Sequence, residues 1–209
     1  VLFPGDPSYS RVRQTRFARV GGDIAKLKVG VVDAAGGETQ WLQISEPDED
    51  FYLGMAEWAG NSNELLVEKL SRFRDKRDFL LADLEAGSIK TIFSESDPAW
   101  VVASYRKNAG LEWIRDGRAF LVISEKDGWR HAYIYSREGK EERLLTPGAF
   151  DIIEKVKIDE KRGWFYFNAS PDNGTQKYLY RVALDGSGKP ERVTPEGRPG
   201  THNYSFSPD

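Results

Sequence analysis

The chain has 209 residues, of which 39% are hydrophobic and 12% aromatic, and it contains no cysteine. Its 30 basic and 33 acidic residues leave a formal net charge of −3, so no strong positive field attracts nucleic acid or an anionic membrane. The lack of cysteine excludes disulfide bonds, thiolate metal sites and a cysteine nucleophile. No run of about 18 apolar residues occurs, which predicts that no helix of this chain spans a membrane.

The dominant pattern along the chain is a repeat of four short strands separated by turns. The clearest copy has its four predicted strands at Leu111–Trp113, Ala119–Ser124, Ala132–Tyr135 and Glu141–Thr146. Four antiparallel strands in a repeat of roughly 40 to 50 residues are typical of a β-propeller blade. A single blade cannot bury both of its faces, so the pattern indicates part of a ring of blades.

The repeat predicts an all-β fold, a partial β-propeller of four-stranded antiparallel blades. The residues that close the first strand of successive copies are Trp58, Trp113, Ile158 and Phe206. We read the whole chain, 1–209, as a single fragment of a propeller domain, with about three whole blades and two partial ones. The predicted blades lie, in chain order, at 1–46 (partial), 52–95, 109–148, 152–196 and 200–209 (the start of a further blade).

The two partial blades rest on shorter signals. Leu27–Asp33 and Thr39–Ile44, joined by a glycine-bearing turn, are predicted to be the last two strands of an earlier blade. Asn203–Ser207 is predicted to be the first strand of a later blade. A β-sandwich also has short, evenly spaced strands, but the fixed order of strand, turn and glycine hairpin favours the propeller. Because the chain starts at Val1 and stops at a turn signal, we expect it to be a piece of a longer protein.

One stretch connects this pattern to a known family. Residues 124–135 read Ser-Glu-Lys-Asp-Gly-Trp-Arg-His-Ala-Tyr-Ile-Tyr. This stretch resembles the propeller domain of the dipeptidyl peptidase IV family, which belongs to the prolyl oligopeptidase group of serine peptidases. Bacterial members carry a very similar stretch, from which we expect a bacterial source. Supporting matches follow the order of the family at Gly22–Asp33, Leu144–Gly148, Tyr178–Val182 and Gly200–Asp209.

The resemblance implies a parent protein in which the propeller covers an α/β-hydrolase domain. That parent would release N-terminal dipeptides whose second residue is proline or alanine. The family's Glu-Glu pair, which holds the substrate amine, and its catalytic domain are both expected outside this chain. The expected role of the chain is therefore non-catalytic: it gates peptide substrates and packs on the hydrolase domain. The alternative is a propeller that binds a protein or ligand without peptidase activity. The resemblance favours a periplasmic or secreted location and leaves a cytoplasmic one open.

The residues themselves agree with a non-catalytic role. No Gly-x-Ser-x-Gly nucleophile elbow occurs in the sequence. The two histidines, His131 and His202, are predicted to be structural hydrogen-bonding residues and not general bases. The acidic run 48–50 lacks the spaced oxygen ligands of a calcium loop. We predict no catalytic, cofactor-binding or metal-binding residue in this chain.

The segment 98–106 is the least regular long connection of the chain and carries Trp, Tyr and Arg, the residue types that dominate recognition surfaces. In the family the connection at this place touches the substrate beyond the scissile bond. Trp100, Tyr105 and Arg106 match no fixed family motif, so the prediction that they line the peptide path rests on position alone. The alternative is that Trp100 and Tyr105 pack between blades.

A propeller fragment also has blade edges that lack a hydrogen-bonding neighbour. Such edges favour pairing with another strand. We therefore expect self-association, with Asn203–Ser207 completing the partial blade around Leu27–Ile44 within one chain or between two.

Overall fold

The computed structural model describes residues 14, 19–102 and 110–207. All of the regular structure in these residues is β-strand. The strands are β1 (Val29–Val31), β2 (Gln40–Leu42), β3 (Phe51–Trp58), β4 (Glu64–Ser71), β5 (Lys76–Asp83), β6 (Ser88–Ser96), β7 (Leu111–Ile114), β8 (Ala119–Ser124), β9 (His131–Ser136), β10 (Glu141–Leu144), β11 (Ile152–Asp159), β12 (Trp164–Ala169), β13 (Tyr178–Ala183) and β14 (Glu191–Arg192). No helix in these ranges could cross a membrane.

The strands form four antiparallel sheets in which each strand pairs with its neighbours in the sequence. Sheet I contains β1 and β2, sheet II contains β3 to β6, sheet III contains β7 to β10, and sheet IV contains β11 to β14. The three four-stranded sheets confirm the all-β, four-stranded organisation that the repeat predicts. The predicted second strand of the clearest copy, Ala119–Ser124, coincides with β8.

The prediction of a strand at Asn203–Ser207 is wrong. Thr201 forms only an isolated bridge with Lys177, and the residues after it are irregular up to Ser207. The segment lies beside sheet IV, because the ring of Phe206 packs 4.8 Å from that of Tyr166. A strand needs a ladder of hydrogen bonds to a neighbour, and the single bridge described near this segment lies before it, at Thr201. It is therefore not paired with sheet I within the chain.

Apolar side chains of successive sheets fill the spaces between them. In β8 the alternation of a strand sends Phe120 towards sheet II and Leu121 towards sheet IV, and both are fully buried. Phe120 stacks on Tyr135, with 5.4 Å between the ring centroids and 5° between the planes. Because β8 is covered on both faces, its sequence is a continuous apolar run and shows no polar alternation.

The turns of each sheet fall at two ends. The connection end carries the turn after each second strand and the link after each fourth strand, at 72–75, 97–102, 125–130, 145–151 and 170–177. In sheets II to IV the hairpin end carries the remaining turns, at 59–63, 84–87, 115–118, 137–140, 160–163 and 184–190. Antiparallel pairing enforces this division, because each strand reverses the chain direction.

Two sheets are closed at the connection end by a buried threonine hydroxyl. The amide of Ala132 donates to Thr146 Oγ1 at 2.9 Å, and the amide of Leu179 donates to Thr194 Oγ1 at 2.9 Å. Both threonines are buried, and each precedes a proline. The hydroxyl takes the place of a backbone acceptor where the fourth strand ends. In sheet II the pairing of β5 with β6 continues to Lys76 and Ser96, and charged side chains are buried beside it.

Candidate functional site

A cleft opens at the connection end between sheets II and III, with a volume of about 160 Å³. One wall is the link 97–102, and the other is the end of β8 with the turn 125–130. Its lining residues are Arg77, Glu95, Ser96, Asp97, Trp100, Val101, Val102, Ile123, Ser124, Glu125, Lys126, Gly128 and Arg130.

The floor of the cleft is a buried cluster of charged side chains from three strands of sheet II. Arg77 in β5 is 1% exposed, and its guanidinium contacts the carboxylate of Glu95 in β6. Glu68 in β4 is fully buried, with its Oε1 3.8 Å from Arg77 Nη1. Charges are stable in a protein interior when they are paired and hydrogen-bonded, which is the arrangement here.

Arg77 also reaches beyond its own sheet. Its Nη1 donates to the carbonyl of Val102 at 3.0 Å, and its Nη2 donates to the carbonyl of Ile123 at 3.0 Å. Val102 belongs to the link after sheet II, and Ile123 belongs to β8 of sheet III. One guanidinium therefore joins both walls of the cleft, which its planar fork of five N–H donors makes possible.

The space for Glu68 depends on a glycine in the neighbouring strand. Gly54 lies in β3 where the register with β4 shifts between Leu53 and Ala56. A Cβ atom at position 54 would overlap the carboxylate of Glu68. The missing side chain thus lets the carboxylate lie against the backbone of β3.

Trp100 lies on the link that forms the first wall. Asp97 Oδ1 accepts hydrogen bonds from the amides of Ala99 (2.7 Å) and Trp100 (3.1 Å), which lower the pKa of the Asp97 carboxyl. Trp100 is 53% exposed, while the next residue, Val101, is buried. The guanidinium of Arg74 lies 5.4 Å from the Trp100 ring. Of the three predicted substrate contacts, the structure places Trp100 at the cleft, whereas Tyr105 and Arg106 lie outside the described residues.

The second wall is held together by His131. This ring is 2% exposed, with Nδ1 2.8 Å from Asp127 Oδ2 and Nε2 3.0 Å from the carbonyl of Gly148. Burial alone would raise the pKa of Asp127, but hydrogen bonds from His131 and others outweigh it, and the pKa is lowered. Burial lowers the pKa of Arg130, the last residue of the wall. His131 has the structural role that the sequence predicts.

The cleft lined by the described residues offers surfaces that suit binding. Ser124 Oγ contacts Glu95, and His202 Nε2 interacts with the carbonyl of Arg198 at 3.1 Å. Within the described ranges, neither histidine forms a hydrogen bond with a serine, and no cluster of three potential metal ligands occurs. What the cleft presents is an indole face, apolar Val101 and Ile123, and charges of both signs.

The charged floor of the cleft was missed by the sequence reasoning. A signal was present, because Glu68 ends the apolar run 65–67 of its strand and Arg77 pairs with the buried Leu70 in the same hairpin. Acidic and basic residues inside predicted strands are rarely fully buried without a partner. That rule suggests an ion pair but does not identify which residues form it.

Comparison with known proteins decides the family. Residues 2–209 match the model of the Dipeptidyl peptidase IV (DPP IV) N-terminal region. The chain belongs to this family. It is 27% identical over 195 residues to a probable dipeptidyl-aminopeptidase B of Coccidioides posadasii, covering 88% of this chain and 21% of that protein. It is 22% identical over 181 residues to dipeptidyl peptidase 4 of Trichophyton rubrum, covering 86% of this chain and 23% of that protein.

A solved structure supports the fold of the dipeptidyl peptidase IV propeller region. The crystal structure of Porphyromonas gingivalis dipeptidyl peptidase 4 superposes with a TM-score of 0.82 at 20% sequence identity, over 99% of this chain and 28% of that chain. The partial propeller predicted from the repeat is therefore confirmed.

The chain spans only about a fifth to a quarter of the length of these relatives. Since the relatives named here come from fungi and from Porphyromonas gingivalis, the bacterial source stays a prediction.

Proposed function

We propose that this chain is the propeller segment of a dipeptidyl-peptidase-type serine exopeptidase that releases N-terminal Xaa-Pro or Xaa-Ala dipeptides. Its role is to gate peptide access and to pack on an α/β-hydrolase domain outside this chain. Membership of the family and the names of the relatives support the parent activity. In this proposal 1–209 is one propeller segment, with whole blades at 52–95, 109–148 and 152–196.

The observation that supports a gating role for this segment is the position of Trp100 at the cleft. Trp100 is half exposed on a link that Asp97 shapes and Arg77 anchors. A rigid aromatic face offers a large contact area at low entropic cost, which suits a peptide backbone or an apolar side chain. Trp100, together with Tyr105 and Arg106 of the same connection, lines the peptide path beyond the scissile bond. For Tyr105 and Arg106 the support is their sequence position.

The connection end is the face that we assign to the hydrolase domain. Three large aromatic side chains are exposed there, Phe73 (81%), Trp100 (53%) and Trp129 (40%). Exposed apolar groups gathered at one end of a domain mark an interaction surface. Their turns belong to sheets II and III, the two sheets that form the cleft, so the docking surface and the peptide path adjoin each other.

The first experiment measures p-nitroaniline release from Gly-Pro-p-nitroanilide by the full-length protein that contains this chain and by the chain alone. Activity of the full-length protein alone is expected, because the described residues hold no serine–histidine pair. Inactivity of both proteins would contradict the peptidase proposal and favour the alternative, a binding module without peptidase activity.

The second experiment tests the peptide path with peptides of increasing length. Trp100→Ala in the full-length protein is expected to raise KM for longer peptides while leaving Gly-Pro-p-nitroanilide hydrolysis unchanged. Trp58→Ala is the matched control, because Trp58 is 50% exposed but lies at the hairpin end. Equal KM values for long peptides in both variants would show that Trp100 does not contact the peptide. The same comparison applies to Arg106→Ala.

A further inference from the structure

The connection end of sheet II differs from those of sheets III and IV, because it carries buried charged side chains. At this end of sheets III and IV a threonine hydroxyl, that of Thr146 or Thr194, accepts a hydrogen bond from a backbone amide. Sheet II has the buried charges of Glu68, Arg77 and Glu95 at this end. Where one copy of a repeat breaks its own pattern at a cost, a functional demand is the expected reason.

The cost of this departure is considerable. Removing each charge from water carries a large desolvation penalty, and well-packed apolar residues are often equally stable in the same place. Stability alone therefore does not explain the cluster. The cluster fixes the position of the link relative to sheet III, because Arg77 donates hydrogen bonds to Val102 and to Ile123 that an apolar side chain could not form.

The link 97–102 is tied in two directions. The amide of Asp97 donates to the carbonyl of Asp75 at 2.9 Å, and the amide of Val101 donates to the carbonyl of Arg74 at 2.7 Å. These two bonds hold the link to its own sheet. Arg77 adds a bond to the link and one to sheet III, and the contact of Glu95 with Ser124 also crosses to sheet III.

We propose that Arg77, held by Glu68 and Glu95, is a positioning residue that fixes the link 97–102 against sheet III and so sets the shape of the cleft for longer peptides. The inference rests on the proposed function, in which the cleft receives the peptide beyond the scissile bond. Arg77 lies beneath the cleft and acts through the link, so it affects the orientation of Trp100 and not the chemical step.

The test compares Arg77→Lys with Arg137→Lys in the full-length protein. Lysine keeps the charge but lacks the planar fork, so it cannot bond Glu95, Val102 and Ile123 together. Arg137 is the matched control, because it also joins sheets II and III, by bonds to Ala59 (3.0 Å) and Gly117 (2.7 Å), at the hairpin end.

The kinetic readout uses Gly-Pro-p-nitroanilide and a hexapeptide that begins with Gly-Pro. Arg77→Lys is expected to raise KM for the hexapeptide roughly tenfold and to change kcat/KM for the short substrate by less than about twofold, because only a remote contact is displaced. Arg137→Lys should leave both values near those of the wild type. A structural role alone would not separate the two substrates.

Hydrogen exchange supplies a readout that does not depend on activity. In Arg77→Lys the amides of the link 97–102 should exchange faster, while the turn 115–118 keeps its wild-type rate. Arg137→Lys should show the reverse pattern, since its bond to Gly117 lies in that turn. Unchanged exchange of the link in Arg77→Lys would overturn the proposal.

The outcomes separate this proposal from the proposed function. If Trp100→Ala raises the hexapeptide KM and Arg77→Lys does not, the peptide path stands and the positioning role is wrong. If Trp100→Ala has no effect, the peptide path fails, and hydrogen exchange still decides whether Arg77 positions the link. Should Arg77→Lys not fold, Glu95→Gln replaces it, since it removes the charge opposite Arg77 and keeps the size. A folded Glu95→Gln protein with wild-type KM and exchange would contradict the proposal.

Discussion

Two arginines join sheets II and III, one at each end, and they do so in different surroundings. Arg77 at the connection end is 1% exposed and is paired with the buried carboxylate of Glu68 and the partly buried one of Glu95. Arg137 at the hairpin end is 18% exposed, pairs with the partly exposed Glu64 at 2.5 Å, and lies 4.5 Å from the Trp113 ring. Both donate to carbonyl groups of the neighbouring sheet. Both arginines therefore link sheet II to sheet III, Arg77 without access to water and Arg137 with partial access to it.

The difference shows how burial changes the contribution of an ion pair to the free energy of unfolding. At the hairpin end water can replace a lost partner, so the pair contributes modestly to stability. At the connection end a lost partner leaves a charge in the interior, so each member depends strongly on the others. A buried cluster thus gives a more rigid arrangement, and it lies where the candidate cleft needs one.

The largest expected effect comes from removing each arginine in turn. Arg77→Met should lower the free energy of unfolding by about 3–5 kcal/mol, because Glu68 and Glu95 lose their shared cation in the interior. Arg137→Met should cost about 1–2 kcal/mol, mainly through lost hydrogen bonds. Urea unfolding of the two variants in the same protein measures the difference. Equal losses would show that burial is not what separates the two ends.

The next effect concerns the room that Glu68 occupies. Gly54→Ala should destabilise the protein by about 2–3 kcal/mol, because the new Cβ atom overlaps the Glu68 carboxylate and displaces it from Arg77. Gly197→Ala is the control, since its Cβ would meet no atom within 4 Å. Thermal unfolding of both variants tests this. A Gly54→Ala protein as stable as the control would mean that the cluster tolerates a shift of Glu68.

A smaller effect is expected where neighbouring sheets use threonine. Thr146→Val should cost about 1–2 kcal/mol, because the buried amide of Ala132 loses its acceptor while the volume stays nearly constant. Thr194→Val should cost a similar amount through the amide of Leu179. Unfolding free energies measured in urea would compare the loss of each threonine hydrogen bond with the loss of the Arg77 ion pairs. Values above the loss for Arg77→Met would reverse the order proposed here.

The smallest effect is a pH dependence at the hairpin end. Burial alone would raise the pKa of Glu64, but hydrogen bonds from Asn61 and Arg137 outweigh it and lower the pKa below 4.5. A carboxyl with a lowered folded-state pKa stabilises fully above its unfolded pKa, and this contribution is lost as the pH falls through the folded value. The stability difference between wild type and Glu64→Gln, expected to be below about 1 kcal/mol, should therefore shrink from pH 6 down to pH 3. A difference that grows on acidification would contradict the assignment.

Strand positions were predictable because strands and turns depend on neighbours in the sequence. The apolar run 119–124 and the flanking glycine turns are local signals, and β8 lies at those residues. Asn203–Ser207 alternates polar and aromatic residues, as a half-buried strand can, but it forms no strand, because pairing requires a partner that local sequence does not reveal. Trp100 could be placed on a link between sheets, whereas its exposure follows from how Asp97 turns the chain.

The sequence by itself determined the repeat, the four-stranded sheets and the family, because apolar strand runs, turn chemistry and the 124–135 stretch are each encoded over a few neighbouring residues. The tertiary structure alone decided that Glu68, Arg77 and Glu95 meet, and that Arg77 reaches Val102 and Ile123. These contacts join separate strands, a link and a second sheet. Their distances depend on strand register and on the packing of one sheet against the next, and no local pattern specifies both.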